Sequence, residues 1–311
     1  MKLSKILFSV FFAFVAIFGL TACGGNNTPA TDDPNRPLNV QFVPTNNDGT
    51  MEARGAEFAA YLSEKLGRPV NVTVATDFNT IVEGMVSKQI DIGIMPPAAF
   101  VQARARGGAK AILTSQMTEF DRETGETIEG QYRSSFRAEI LVKADSDIHT
   151  LEDLKGKNIG TLSPSSASGY IYPIVDMLDA GIDPINDVHL VTINDIPSAI
   201  TGVLNGQLDA AFAFEGSRFV FNNAFENHDL PSDLRVLHVS VGVIPNDAIA
   251  VQPDMDPALV EQIKNAFLEM NQTQEGRDMI ALWGHIGYSP ANEADYDTIQ
   301  EYIDRAAGLG Q

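Results

Sequence analysis

The chain repeats itself. Lys88-Gln89-Ile90-Asp91-Ile92-Gly93 and Gly206-Gln207-Leu208-Asp209-Ala210-Ala211 match in character at an offset of 118 residues. Each hexapeptide closes a run that reads strand, helix, strand, helix, strand. In the first run, Leu38 to Val43 alternates as a strand and Met51 to Leu66 has helical period with Gly67 as its stop. Val70 to Val74 is the second strand, Asp77 caps a helix to about Lys88, and Ile90 to Ile94 is the third strand. In the second run, Asn158 to Thr161, Ser168 to Ala180, Val188 to Thr192, Asp195 to Asn205 and Leu208 to Phe212 follow the same order. Two such units predict an α/β protein with two lobes, each a small sheet flanked by helices. A single nucleotide-binding sheet competes, but no Gly-x-Gly-x-x-Gly follows the first strand and no phosphate-binding Gly-x-x-x-x-Gly-Lys-Ser/Thr occurs.

The segments outside the repeat suggest how the lobes join. Phe136 to Lys143 and Val236 to Val251 read as extended, and Pro257 to Leu309 reads as largely helical. We expect lobe one over 38–136 plus 248–311, lobe two over 144–235, and crossovers at 137–143 and 236–247. Two crossings make a hinge, so the lobes can close on something between them.

The amino terminus places the chain. Lys2 and Lys5 precede an apolar run from Ile6 to Leu20, then Leu20-Thr21-Ala22-Cys23. A basic patch, an apolar run of this length and small residues read as a signal peptide over 1–22. A retained membrane anchor is the competing reading. Cys23 is the only cysteine and cannot cross-link the fold internally. It resembles the acylated cysteine of a bacterial lipobox, which would bind the lipid bilayer through its acyl chains. Residues 23–37 are polar and rich in Gly, Pro, Asn and Asp, as in a flexible tether. A formal charge of -20 argues against nucleic acid as a partner. Any anion must therefore be held by local donors.

One stretch supplies such donors. Thr161 ends a strand and a helix starts near Ser168, so Ser165, Ser166 and Ser168 lie where a helix leaves four amide hydrogens unpaired. Those amides, the hydroxyls and the helix dipole can hold a tetrahedral oxyanion without a lysine. Gly169 would let backbone and ligand approach closely. An ordinary serine cap explains the same residues. Thr45 and Asn46 end the first strand, where ligands of open α/β sheets bind, although a plain turn also explains them.

Five stretches together resemble the substrate-binding components of phosphonate, phosphite and phosphate ABC importers. They are Tyr61 to Pro69 (YLSEKLGRP), Gln89 to Ile94, Leu151 to Gly156 (LEDLKG), Ser163 to Pro173 (SPSSASGYIYP) and Ile244-Pro245-Asn246-Asp247. The resemblance implies the two-lobed type II periplasmic-binding-protein fold. It also implies an oxyanion ligand, ABC permease and ATPase subunits as partners, no cofactor and an extracytoplasmic location. A monomer is expected. By the same resemblance Ser166, Ala167 and Ser168 hold the phosphoryl oxygens. Ala167 stands where threonine is frequent, a loss of about one hydrogen bond, or about 1 kcal/mol. The resemblance turns Asp247 toward the ligand, as a selector for a protonated oxygen or an amine. Phe78 and Met95 stand where tyrosines are frequent and Ile196 where histidine is, which makes the walls more apolar and disfavours aminoethylphosphonate. Phe78 and Met95 are equally explained as core. Glu215, after the third strand of lobe two, faces the ligand or caps the next helix.

Chemistry beyond binding has no sequence signature. The histidines at 149, 189, 228, 238 and 285 lack metal spacing, and no Gly-x-Ser-x-Gly elbow is present. Asp121 to Gly130 reads as a surface loop. The alternatives to an importer subunit are an extracytoplasmic sensor that presents the bound state to a membrane receptor kinase, and a hydrolase on the same fold.

Overall fold

The repeat is physical as well as textual. The computed structural model describes residues 36–43 and 50–308. The first unit contains β1 (Leu38–Phe42), α1 (Thr50–Leu66), β2 (Val70–Val74), α2 (Phe78–Val86), β3 (Ile92–Met95) and α3 (Pro97–Ala105), followed by β4 (Lys110–Phe120), β5 (Thr127–Arg133) and β6 (Ser135–Phe136). The second contains β7 (Ala138–Lys143), β8 (Asn158–Thr161), α4 (Tyr172–Asp179), β9 (His189–Thr192), α5 (Ile196–Leu204) and β10 (Ala210–Phe214). It continues with α6 (Ser217–Val220), α7 (Leu230–Asp233) and β11 (Leu234–Val239). The chain ends with β12 (Ile244–Pro245), β13 (Ala248–Val251), α8 (Pro257–Met270), α9 (Gln274–Ile280), β14 (Gly287–Pro290) and α10 (Asp297–Ala307).

Equivalent residues do equivalent work in the two units. Asp77 caps α2 by accepting from the Thr80 amide at 2.8 Å, and Asp195 caps α5 by accepting from the Ser198 amide at 2.7 Å. The repeated aspartates pin the entry of each first strand: Asp91 accepts from the Asn39 amide and Asp209 from the Asn158 amide, both at 2.8 Å. Asp91 also pairs with Arg36. The shared hexapeptide is therefore a scaffold motif.

Two sheets result. One has the order β14-β4-β13-β3-β1-β2 with β5 on β4, and the other has the order β11-β7-β10-β8-β9. In each, the repeat supplies three parallel strands, and an antiparallel strand from across the chain lies beside the third: β13 on β3 and β7 on β10. The fold is thus two-lobed α/β. Of the segments expected as crossovers, 138–143 and 236–239 lie inside the second sheet. Ala138 to Val142 is buried on both faces, which suits a central strand. The connections themselves are residues 134–137 and 240–247, where β6 and β12 pair as a short antiparallel ribbon.

The first core is built around Phe42, Phe58, Phe267, Trp283 and Tyr288, whose rings meet edge to face at 5.0–5.7 Å. Helices α8 and α9 cover it. Helix α10 does not stay on the first lobe. It packs on α3 through Ile299, while Tyr302 stacks on Tyr172 of α4 at 4.1 Å and Arg305 pairs with Asp179. It ties the two lobes on one side.

Candidate functional site

Strand β8 runs into the serine turn, which is closed by its own hydrogen bonds. The Leu162 amide donates to the Gly169 carbonyl at 2.9 Å, and the Ser166 amide to the Ser163 carbonyl at 2.8 Å. The Ser166 hydroxyl accepts from the Gly169 amide at 3.1 Å, which leaves its own hydrogen free to donate. The Ser163 and Ser165 hydroxyls pair at 2.8 Å. A π-helical turn over Ala167–Ile171 then leads into α4. No described residue accepts from the Ala167 or Ser168 amides, so both head the helix as free donors. Gly169 has a structural reason of its own: a Cβ there would lie 2.6 Å from the Leu162 side chain. The glycine lets the turn lie on Leu162, and the close approach is to the protein's own side chain.

The turn faces the other lobe. Ala167 and Ile171 share a buried cluster with Val43, Ala75 and Met95 of the first lobe, and Phe78 packs against it. Met95 is fully buried, with its side chain over Gly93 and beside Met85, a core position. Ile196, at the start of α5, is buried in the second lobe. Thr45, Asn46 and Cys23 lie outside the described residues.

Asp247 sits at the first lobe's edge, one residue before β13. Its carbonyl accepts from the Ser115 amide at 2.9 Å. Its side chain, 27% exposed, lies 3.3 Å from Nε2 of the buried His285, whose Nδ1 is 3.3 Å from the Tyr288 hydroxyl. Burial, then the charge of Asp247, pushes the Tyr288 hydroxyl far above its usual range, so it stays a neutral partner. The Tyr296 hydroxyl donates to the Asn246 carbonyl at 3.0 Å and fixes the preceding residue.

Glu215 follows β10 directly. Strand β10 lies beside β8 in parallel, so Glu215 and the serine turn follow the same end of the second sheet. Glu215 is buried and held by arginines of the first lobe: Arg122 Nε at 2.6 Å and Arg133 Nη1 at 3.5 Å. The segment 121–130, expected as a surface loop, is the tip of the β4–β5 hairpin that delivers them. Residues 121–126 are its turn, largely exposed as a surface loop would be, and Phe120 and Gly125 reach Gly216 and Phe219 of the second lobe. Glu139, on β7, is buried nearby, and burial pushes its carboxyl up to about 7.

Sequence reasoning missed Arg122, Arg133, Ser115, Asn246 and His285. In the sequence His285 is one of several scattered histidines, and only its approach to Asp247 marks it. Arg133 carries one faint signal, its place immediately before the serines that start the crossing. Two surface grooves, one beside α2 and one behind the β6–β12 ribbon, do not include the serine turn.

Comparisons with known proteins bear on this geometry. A family model described as "ABC transporter, phosphonate, periplasmic substrate-binding protein" matches residues 40–296. The phosphate-import protein PhnD of Mycolicibacterium smegmatis is 23% identical, with 91% of each chain covered. The phosphonates-binding periplasmic protein of Escherichia coli is 22% identical over 92% of this chain and 80% of that one. Among solved structures, PhnD1 of Prochlorococcus marinus in complex with methylphosphonate superposes with a TM-score of 0.66 and 18% identity, covering 87% of this chain and 98% of the other.

Proposed function

The chain belongs to the family of periplasmic substrate-binding proteins of phosphonate ABC transporters, and from that premise we propose that its serine turn is the seat of a phosphonate-type oxyanion caught between the lobes. The family is one of transport proteins that bind and deliver a solute. The observation that carries the assignment is the pair of free amides, Ala167 and Ser168, beside the free hydroxyl hydrogen of Ser166, at a helix start that faces the opposite lobe. The phosphoryl group takes these donors, and Asp247, opposite, takes a ligand oxygen that retains its proton. Phe78 forms part of the apolar wall. Known ligands of relatives set the size: methylphosphonate in the Prochlorococcus marinus protein, and phosphate transport in the Mycolicibacterium smegmatis one.

The test is a thermal-shift screen of the purified protein with methylphosphonate, phosphite, phosphate, sulfate and 2-aminoethylphosphonate. Ligand at about 100 times its dissociation constant stabilises by about 2.7 kcal/mol. The double change Ser166→Ala and Ser168→Ala should abolish the shift for every oxyanion, and an undiminished shift removes the site from the turn.

The bound state is delivered to a permease and its ATPase by a monomer tethered to the membrane outer face through acylated Cys23. Incorporation of labelled fatty acid that disappears in Cys23→Ser tests the tether, and sedimentation of the purified protein tests the monomer.

A further inference from the structure

Both carboxylates at the ligand's end of the site already have partners within the protein. Asp247 faces His285, and Glu215 faces Arg122 and Arg133. An amine on the ligand would compete with His285 for Asp247 and with two arginines for Glu215, and Arg133 would repel it. Donors, by contrast, stand unpaired. Arg133 is only 9% exposed, and its Nε and Nη1 have no hydrogen-bond partner. The contact to Glu215 at 3.5 Å is an ion pair without a hydrogen bond. The Ser115 hydroxyl is buried and unpartnered as well. Asn246 holds these two segments together, donating from Nδ2 to the carbonyls of Ser115 and Arg133 at 3.1 and 3.0 Å, while its own Oδ1 stays unpaired.

These nitrogens are shut off from water in this arrangement. Buried guanidinium donors without partners are costly, and burial lowers the Arg133 pKa in spite of Glu215 and Glu119 beside it. Glu139 is the other resident acid, and its Oε2 is also unpaired. Neither Nε nor Nη1 of Arg133 is hydrogen-bonded to any of these acids, and a ligand that enters when the lobes part can supply the acceptors. A planar fork of N–H groups suits a carboxylate or a second phosphoryl group.

We propose that Arg133 is a second anchor for the ligand, and that the protein selects phosphonates bearing a further acidic group over those bearing an amine. The proposal rests on the phosphonate reading of the serine turn, and the two fail differently.

Isothermal titration of the purified protein with methylphosphonate, 2-aminoethylphosphonate, phosphonoacetate and 3-phosphonopropanoate tests it. One of the two carboxylated probes should bind at least about tenfold tighter than methylphosphonate, as expected for a charge-assisted pair, and 2-aminoethylphosphonate should bind more weakly than methylphosphonate. In Arg133→Gln the preference for the carboxylated probe should collapse toward unity, with Arg133→Lys between. Tighter binding of 2-aminoethylphosphonate than of methylphosphonate overturns the proposal. So does an Arg133→Gln protein in which all affinities fall by the same factor, since that marks the arginine as a clamp on Glu215 only. If none of the four probes binds the wild type, the phosphonate reading itself is wrong and the proposal falls with it. Methylphosphonate binding without discrimination refutes the Arg133 role alone.

Discussion

Replacing Glu139 with glutamine should change how stability depends on pH. Glu139 is 6% exposed on a central strand, and its Oε2 has no hydrogen-bond partner. Burial raises its carboxyl to about 7 from the 4.5 of a free glutamate, Glu215 adds to the rise, and Arg218 and the Gly216 amide oppose it. Below pH 4.5 both the folded and unfolded chains hold the proton and nothing is lost. Between 4.5 and about 7 the unfolded chain ionises first, so the wild type loses stability as pH rises. Above about 7 both forms are ionised and the loss is constant. The interval from 4.5 to about 7 corresponds to a cost of roughly 3 kcal/mol. Glutamine keeps the shape and never ionises. Urea unfolding at pH 5 and pH 8, followed by circular dichroism, should show the variant gaining roughly 2.5 kcal/mol on the wild type between the two conditions, since part of the cost is already present at pH 5. The quantity to read is the change with pH, because any effect of the new amide on hydrogen bonding is the same at both. A difference between the two proteins that does not vary with pH, or that shrinks as pH rises, refutes the reasoning.

Other consequences are open to direct measurement. Trp283 is the only tryptophan, and its ring lies 6.0 Å from that of His285, which touches Asp247; its emission should change on titration with methylphosphonate, and the change should be lost in Asp247→Ala. Asp247 tolerates a bound anion only with a proton between them, so affinity should fall as pH rises through the ligand's second ionisation, and Asp247→Asn should flatten that dependence. Gly169→Ala would drive a Cβ to 2.6 Å from the Leu162 side chain, and the unliganded protein should lose about 1–3 kcal/mol of stability; an unchanged melting temperature would show that Leu162 yields freely.

The sequence revealed most where interactions are local. The caps Asp77 and Asp195 and the strand 158–161 can be read from a few neighbouring residues, and the repeat carried them into a two-lobed fold. The serine turn was legible for the same reason: a strand, a serine-rich bend and a helix follow one another in the chain. Contacts distant in sequence were not legible. Arg122 and Glu215 meet across 93 residues because a hairpin reaches over the gap, and nothing in Asp121 to Gly130 announces a structured arm. The segment 138–143 looked like a connector because its neighbours in the sheet, β10 and β11, come from later parts of the chain. Strand β14 was hidden inside a segment read as helical, since a four-residue strand at a sheet edge leaves almost no periodic signal.

Helix α10, which spans both lobes, restricts how the mouth can open. With the Tyr172–Tyr302 stack and the Arg305–Asp179 pair on one flank, separation there would break aromatic and ionic contacts together. On the opposite flank the contacts to be released are those of the hairpin: the pairs of Arg122 and Arg133 with Glu215 and the Phe120–Phe219 rings. The least costly excursion is therefore a swing with α10 at the spine and the hairpin at the fore-edge. If the serine turn is the seat proposed above, a solute entering on that flank would pass Arg122, a cation at the threshold of a strongly acidic protein.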